Sequence, residues 1–122
     1  MIKVAIVGSR NYFDCDYIKS KFTEVLSFEG IDIINVVIVS GGAKGVDTCA
    51  QMIAKEFGLP ILIIYPDWKS NGKMAGILRN TAIAKNSDIV IAFPSKDSKG
   101  TWDTINKAKQ LRKKLYIFNV ED

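Results

Sequence analysis

The segment Ser40-Gly41-Gly42-Ala43-Lys44-Gly45-Val46-Asp47 follows an apolar run and opens a stretch with helical spacing. Glycines at Gly41, Gly42 and Gly45 can take positive φ and let a ligand approach the main chain. The first-turn N–H groups and the helix dipole favour an anion there, so the segment, Ala43 included, reads as a cradle for phosphate. Asp47 falls in the first helical turn, where a carboxylate either complements the dipole or accepts ribose hydroxyls.

Three further clusters offer polar chemistry. Gly8-Ser9-Arg10-Asn11 follows the first apolar run and presents a hydroxyl and a guanidinium whose planar fork suits phosphate or carboxylate. Lys73, Gly76 and Asn80 fall at spacings of three and four, one face of a helix, with Arg79 beside them and Trp68 upstream as a stacking surface or core cap. Pro94-Ser95-Lys96-Asp97-Ser98-Lys99-Gly100-Thr101 leads into a last helix, giving a second helix N-terminus, with Asp103 in its first turn. Ser98, Gly100 and Thr101 join the candidate ligand-binding set. The spacing is neither the Gly-x-Gly-x-x-Gly of dinucleotide sites nor the Gly-Lys-Ser/Thr ending of a Walker loop.

Composition narrows the chemistry. There is no histidine among the 122 residues, which removes Ser-His-Asp and Cys-His machinery and the common zinc site. No metal ligands and no resident cofactor are assigned. Cys15 and Cys49 are too few for a disulfide framework, and Cys49 reads as a structural thiol on a buried helix face. The net charge of +4 includes Lys107, Lys109, Arg112, Lys113 and Lys114, which spread around a helix as a solvated face rather than form a nucleic-acid stripe. No apolar run approaches the roughly 18 residues of a membrane span, and the N-terminus lacks a signal-peptide layout, so a cytoplasmic protein with no membrane partner is expected.

These clusters need a scaffold that brings them together. Five Val/Ile-rich runs, Ile2 to Val7, Val36 to Val39, Ile61 to Tyr65, Ile89 to Phe93 and Leu115 to Phe118, are nearly continuous, as in parallel strands covered on both faces. Between them, Asp16 to Phe28, Lys44 to Phe57, Gly72 to Lys85 and Gly100 to Lys113 have the length of helices. The alternation predicts one α/β domain over residues 1–122, a three-layer sandwich around a five-stranded parallel sheet in the order 3-2-1-4-5. In that order the loops after strands one, two and four line one crevice at the switch point.

Val7-Gly8-Ser9-Arg10, Ser40 to Asp47, Ala75-Gly76-Ile77-Leu78-Arg79-Asn80 and Lys99-Gly100-Thr101 together resemble the SLOG superfamily of Rossmann-like domains, which includes LOG and DprA proteins. The nearest likeness is to its YspA-like, YpsA-related branch. The resemblance implies a nucleotide-like small-molecule partner, ADP-ribose-like, with phosphate and ribose held by the glycine loops, in a sensor or accessory domain. It also implies two alternatives. One is LOG-like cleavage of a nucleoside monophosphate, with Arg79 holding phosphate and Asp47 or Asp103 as the carboxylate. In that motif Thr104 stands where LOG enzymes carry glutamate, and Asp103 sits about 100° around the helix from it. The other is DprA-like binding of single-stranded DNA through the basic surface. Pairing into a homo-oligomer is implied by the same likeness, since LOG proteins pair through helices.

Overall fold

The computed structural model describes residues 1–122. The five apolar runs form strands β1 (Ile2–Gly8), β2 (Val36–Ser40), β3 (Ile61–Ile63), β4 (Ile89–Phe93) and β5 (Lys114–Ile117). All neighbours pair parallel in the order β3-β2-β1-β4-β5. The expected order is therefore the observed one, and β1 lies between β2 and β4, with Val4 opposite both Ile38 and Ile89.

Alternation along the central strands divides the core into two layers. Val4, Ile6, Ile89, Ile91 and Phe93 face helices α1 (Cys15–Glu29) and α2 (Val46–Phe57), where Ile18, Phe22, Val25, Ala50 and Ile53 complete a buried cluster. Ala5, Val7, Val90 and Ala92 face the other side and pack against Ile83 of α4 (Ala75–Lys85) and Ile105 and Ala108 of α5 (Lys99–Gln110). Burial on both faces is why these strands read as continuous apolar runs. Helix α1 starts where Asp14 accepts the Tyr17 N–H, and it ends at Gly30 in the left-handed conformation. No helix is long and apolar enough to cross a membrane.

Most expected boundaries shift by a residue or two, and three of the shifts have a local cause. Strand β3 stops at Ile63 instead of Tyr65: its only partner, β2, ends at Ser40, whose carbonyl takes the last bond from the Ile64 N–H. The third helical segment is broken rather than continuous from Gly72. A short helix α3 (Trp68–Asn71), started by Asp67 accepting from the Ser70 N–H, and a 3-10 turn at Gly72–Met74 precede α4, because Gly72 has φ +52°. The last helix ends at Gln110 instead of Lys113, and Arg112 takes a positive φ in the turn into β5.

The expectation of a free structural thiol at Cys49 is also overturned. Cys15, at the start of α1, and Cys49, in α2, are joined by a disulfide across 34 positions of sequence, with Cα atoms 5.1 Å apart. Both helices pack on the same face of the sheet, and that packing brings two residues separated by an entire strand into bonding range.

The loops after β1 and β2 are locked to each other. The Val46 N–H donates to the Ser9 carbonyl at 3.1 Å. Gly45, with φ +71°, lies so close that a Cβ there would sit 2.3 Å from the Ser9 carbonyl oxygen and 2.5 Å from the Arg10 carbonyl carbon. A side chain is therefore excluded both by the sign of φ and by the space.

Gly45→Ala should lower the unfolding free energy by at least about 2 kcal/mol, read by urea denaturation; a midpoint within error of wild type would contradict the tight loop contact. Removing the disulfide as Cys15→Ser/Cys49→Ser should cost about 2–4 kcal/mol through the freed unfolded chain. The doubly substituted protein should still melt cooperatively, since the aliphatic core on both sheet faces is untouched; an unchanged melting temperature under oxidising conditions would show that no such bond forms.

Candidate functional site

The crevice lies at the carboxyl ends of β1, β2 and β4 and has two adjoining compartments. The first, about 310 Å³, is lined by Gly8, Ser9, Arg10 and Asn11 after β1, by Ala43 and Asp47, by Arg79, Asn80 and Ile83 of α4, and by Ser95, residues 97–101 and Thr104. The second, about 650 Å³, shares Arg10, Asn11, Ala43 and Arg79 with it and adds Gly41, Gly42, Lys44, Tyr65, Pro66 and Trp68. Arg10 is exposed and stands between them, its guanidinium uncommitted to any carboxylate ion pair.

The most buried charged groups of the site hold the glycine loop from behind. Asp47 Oδ2 accepts the Ala43 N–H at 3.0 Å, closing the loop onto the first turn of α2. Burial pushes the Asp47 carboxyl above its ordinary range, opposed by that N–H and by the charges of Arg79 and Arg10. Arg79 Nη1 donates to the Gly41 carbonyl at 2.7 Å, and its Nε donates to Asn80 Oδ1 at 3.1 Å. Burial draws the Arg79 guanidinium below its ordinary value, with Asp47 acting in the opposite direction. Asn80 is buried and ties α4 to α5, its Nδ2 donating to the Gly100 carbonyl at 3.3 Å and to Asp103 Oδ2 at 3.1 Å.

The N-terminus of α5 opens on the first compartment without a side-chain cap, while that of α2, also without one, spends its first amide, at Val46, on the Ser9 carbonyl. Gly45 precedes α2 and has no side chain to offer; Ser98 precedes α5 and turns its hydroxyl to Ser95 instead, accepting the Ser95 N–H at 2.9 Å and meeting Ser95 Oγ at 2.7 Å. Gly100 and Thr101, the next residues of α5, line the compartment. Uncapped first-turn amides of this kind favour an anion.

The predicted residues separate into distinct places. Gly8, Ser9, Arg10, Ala43, Asp47, Arg79, Asn80, Ser98, Gly100 and Thr101 converge on the first compartment, and Gly41 and Gly42 on the second. Gly45 lies beneath them in the loop contact. Lys73 lines neither compartment: it stands exposed in the 3-10 turn, off the helical face it was expected to share with Gly76 and Asn80. Asp103 also lies outside the lining and faces α4, held by Asn80 and lying 3.9 Å from Lys107. Thr104, the neighbour in the LOG glutamate position, does line the compartment, and its hydroxyl donates to the Gly100 carbonyl at 3.1 Å. None of Lys107, Lys109, Arg112, Lys113 and Lys114 reaches the crevice.

Sequence reasoning missed two features of the crevice. Tyr65, read as the end of a strand, projects with Trp68 into the second compartment; the two are 66% and 58% exposed. Gly42 makes room for Tyr65, since a Cβ there would fall 2.6 Å from Tyr65 Cε1. The second feature is Asp122, whose carboxylate accepts the Ser9 hydroxyl inside the first compartment. A tyrosine directly before Pro66, past the last residue that β2 can pair, was a readable signal; nothing in the pattern around Asp122 announced it.

Comparison with known proteins identifies relatives of this fold. The Gene 61 protein of Mycobacterium phage D29 is 30% identical over 116 residues, covering 90% of each chain. Among solved structures, DNA processing protein A (DprA) from Streptococcus pneumoniae superposes with a TM-score of 0.73 at 25% identity, over 96% of this chain and 50% of that one. DprA from Helicobacter pylori, described for its single-stranded DNA binding mode, gives 0.70 at 24% identity, over 95% of this chain and 64% of that one. The chain thus spans between half and two thirds of these DprA chains. The model of the YspA, cpYpsA-related SLOG family matches residues 2–70, from β1 through the glycine loop to the aromatic wall. With more than half its length matched, and with a relative aligned nearly end to end, the chain belongs to the YspA, cpYpsA-related SLOG family.

Proposed function

We propose that the crevice binds a nucleotide or nucleotide-derived small molecule, ADP-ribose-like in character, and that the chain acts as a sensor or accessory domain. The observation that carries this reading is the junction of two unlike compartments at Arg10: one walled by hydroxyls and an uncapped helix N-terminus, the other by exposed aromatic rings. Phosphate oxygens match the first and a base matches the second, because an aromatic side chain can stack on the π-face of any base. The family membership and the nucleic-acid chemistry of DprA support the same ligand class.

Cleavage of an N-glycosidic bond is the competing reading, favoured by one observation: Asp47 is a buried carboxyl in the crevice, held above its ordinary range. Its hydrogen bond to Ala43 argues for a brace instead. The position that would carry the LOG glutamate holds Thr104, which has no carboxylate to stabilise an oxocarbenium-like centre.

Calorimetry with AMP, ADP, ADP-ribose, ribose 5-phosphate and a short single-stranded oligonucleotide, followed by chromatography of each mixture, tests the reading. Nucleotides should bind without release of free base. Trp68→Ala should weaken nucleotide binding roughly tenfold, the scale of one lost base–aromatic stack, and leave ribose 5-phosphate unaffected. Binding of the oligonucleotide alone would overturn the small-molecule reading, and release of base would make the protein an enzyme. The role of Asp47 is checked separately. Its raised pKa means the folded chain holds that proton more tightly than the unfolded one, so the resulting stabilisation is full below the ordinary value of 3.8 and disappears as pH rises through the folded value. Asp47→Asn should therefore gain stability relative to wild type as pH goes from 4 to 7 while still accepting the Ala43 N–H; a pH-independent difference between their thermal melts would show that this carboxyl does not titrate as described.

A further inference from the structure

The segment after β5 stays on the sheet and carries an anion into the crevice. The Phe118 N–H donates to the Ala92 carbonyl at 2.9 Å, and the Val120 N–H donates to the Pro94 carbonyl at 2.9 Å, extending the pairing with β4 past its end. Phe118 stacks on Phe93 with ring centroids 5.6 Å apart, and Val120 packs against the same core. Anchored in this way, the segment places Asp122 in the first compartment, where its carboxylate accepts the Ser9 hydroxyl. Ser9 first, then Ser95 and Asn11, hold that carboxyl below its ordinary range.

We infer that Asp122 occupies the crevice's phosphoryl subsite, and that residues 119–122 form an intramolecular gate which an incoming phosphate must displace. A carboxylate and a phosphoryl group present the same acceptor oxygens, and both suit hydroxyl donors beside an arginine. The seat is built for an acceptor: Ser9 is buried, its main-chain N–H is held by the Phe93 carbonyl at 3.0 Å, and its Oγ accepts the Asn11 N–H at 3.1 Å, which leaves the hydroxyl proton to donate into the compartment. Asp122 itself is solvent-exposed, so its bonds compete with water and the closed arrangement is readily opened. The anchors at Phe118 and Val120 are main-chain bonds that do not involve Asp122, so rotation of the Asp122 side chain releases the carboxylate while the strand-like pairing persists. The inference rests on the nucleotide reading only for the identity of the incoming group.

Asp122→Ala removes the competing carboxylate without touching the core. Inorganic pyrophosphate and AMP serve as probes, measured by calorimetry on wild type and variant, with amide resonances of Ser9 and Asn11 recorded before any probe is added. If the closed form holds about nine tenths of the wild-type population, the variant should bind pyrophosphate about tenfold more tightly, and the Ser9 and Asn11 amides should shift without ligand. Equal or weaker pyrophosphate binding in the variant overturns the gate, as does absence of binding to both proteins; weaker binding would make Asp122 a ligand contact. Tighter pyrophosphate binding with no response to AMP or ADP-ribose in either protein would uphold the gate and reject the nucleotide reading. AMP binding equally to both would do the reverse.

Discussion

Strand order brings the loops after β1 and β2 near each other, but adjacent strands are still about 4.8 Å apart and their loops are free to diverge. The close approach of Gly45 to the Ser9 and Arg10 main chain turns proximity into a site. From that contact follow the path of the glycine loop, the direction in which α2 starts and the outward stance of Arg10. Asp47 and Arg79 complete the arrangement by fastening the two ends of the loop, at Ala43 and Gly41. The polar groups facing the crevice are in consequence held by main-chain geometry more than by one another.

This arrangement divides the charged residues by task. Asp47 is buried and Arg79 half-buried, and each is committed to the loop's main chain, Asp47 accepting from Ala43 and Arg79 donating to Gly41 as well as to the Asn80 side chain. The groups left facing the crevice are hydroxyls, a glycine-rich main chain, the rings of Tyr65 and Trp68, and the exposed charges of Arg10, Lys44, Asp97, Lys99 and Asp122. Among them the Ser9 hydroxyl meets an acceptor oxygen within the chain itself, the carboxylate of Asp122.

The parts of this organisation that were legible in the sequence are those encoded locally. Continuous Val and Ile runs marked strands buried on both faces, glycines marked the loop, and the alternation of elements gave the strand order and hence the crevice. The illegible parts depend on contacts between distant segments or on local geometry that periodicity does not sense. Cys15 and Cys49 meet only because α1 and α2 share a face of the sheet. Lys73 kept helical spacing with Asn80 on paper, but Gly72 at positive φ starts a 3-10 turn that takes it off that face. Asp103 looked available beside the Gly-Thr pair, yet Asn80 on another helix claims it. Tyr65 belonged to an apolar run and so read as strand, although its edge position left it no partner to pair with.

The insertion of β4 beside β1 gives the two compartments different origins along the chain. Every residue lining the aromatic-walled compartment except Arg79 comes before position 70, whereas most of the wall of the other compartment is supplied by residues 79–122. Changes between positions 80 and 122 can therefore remodel the wall of the first compartment while the aromatic wall is kept, whereas changes at Arg10, Asn11 or Ala43 alter both compartments. A fold wound in this way can reshape one wall of its crevice on its own, with Arg10, Asn11, Ala43 and Arg79 as the residues that both compartments must continue to accommodate.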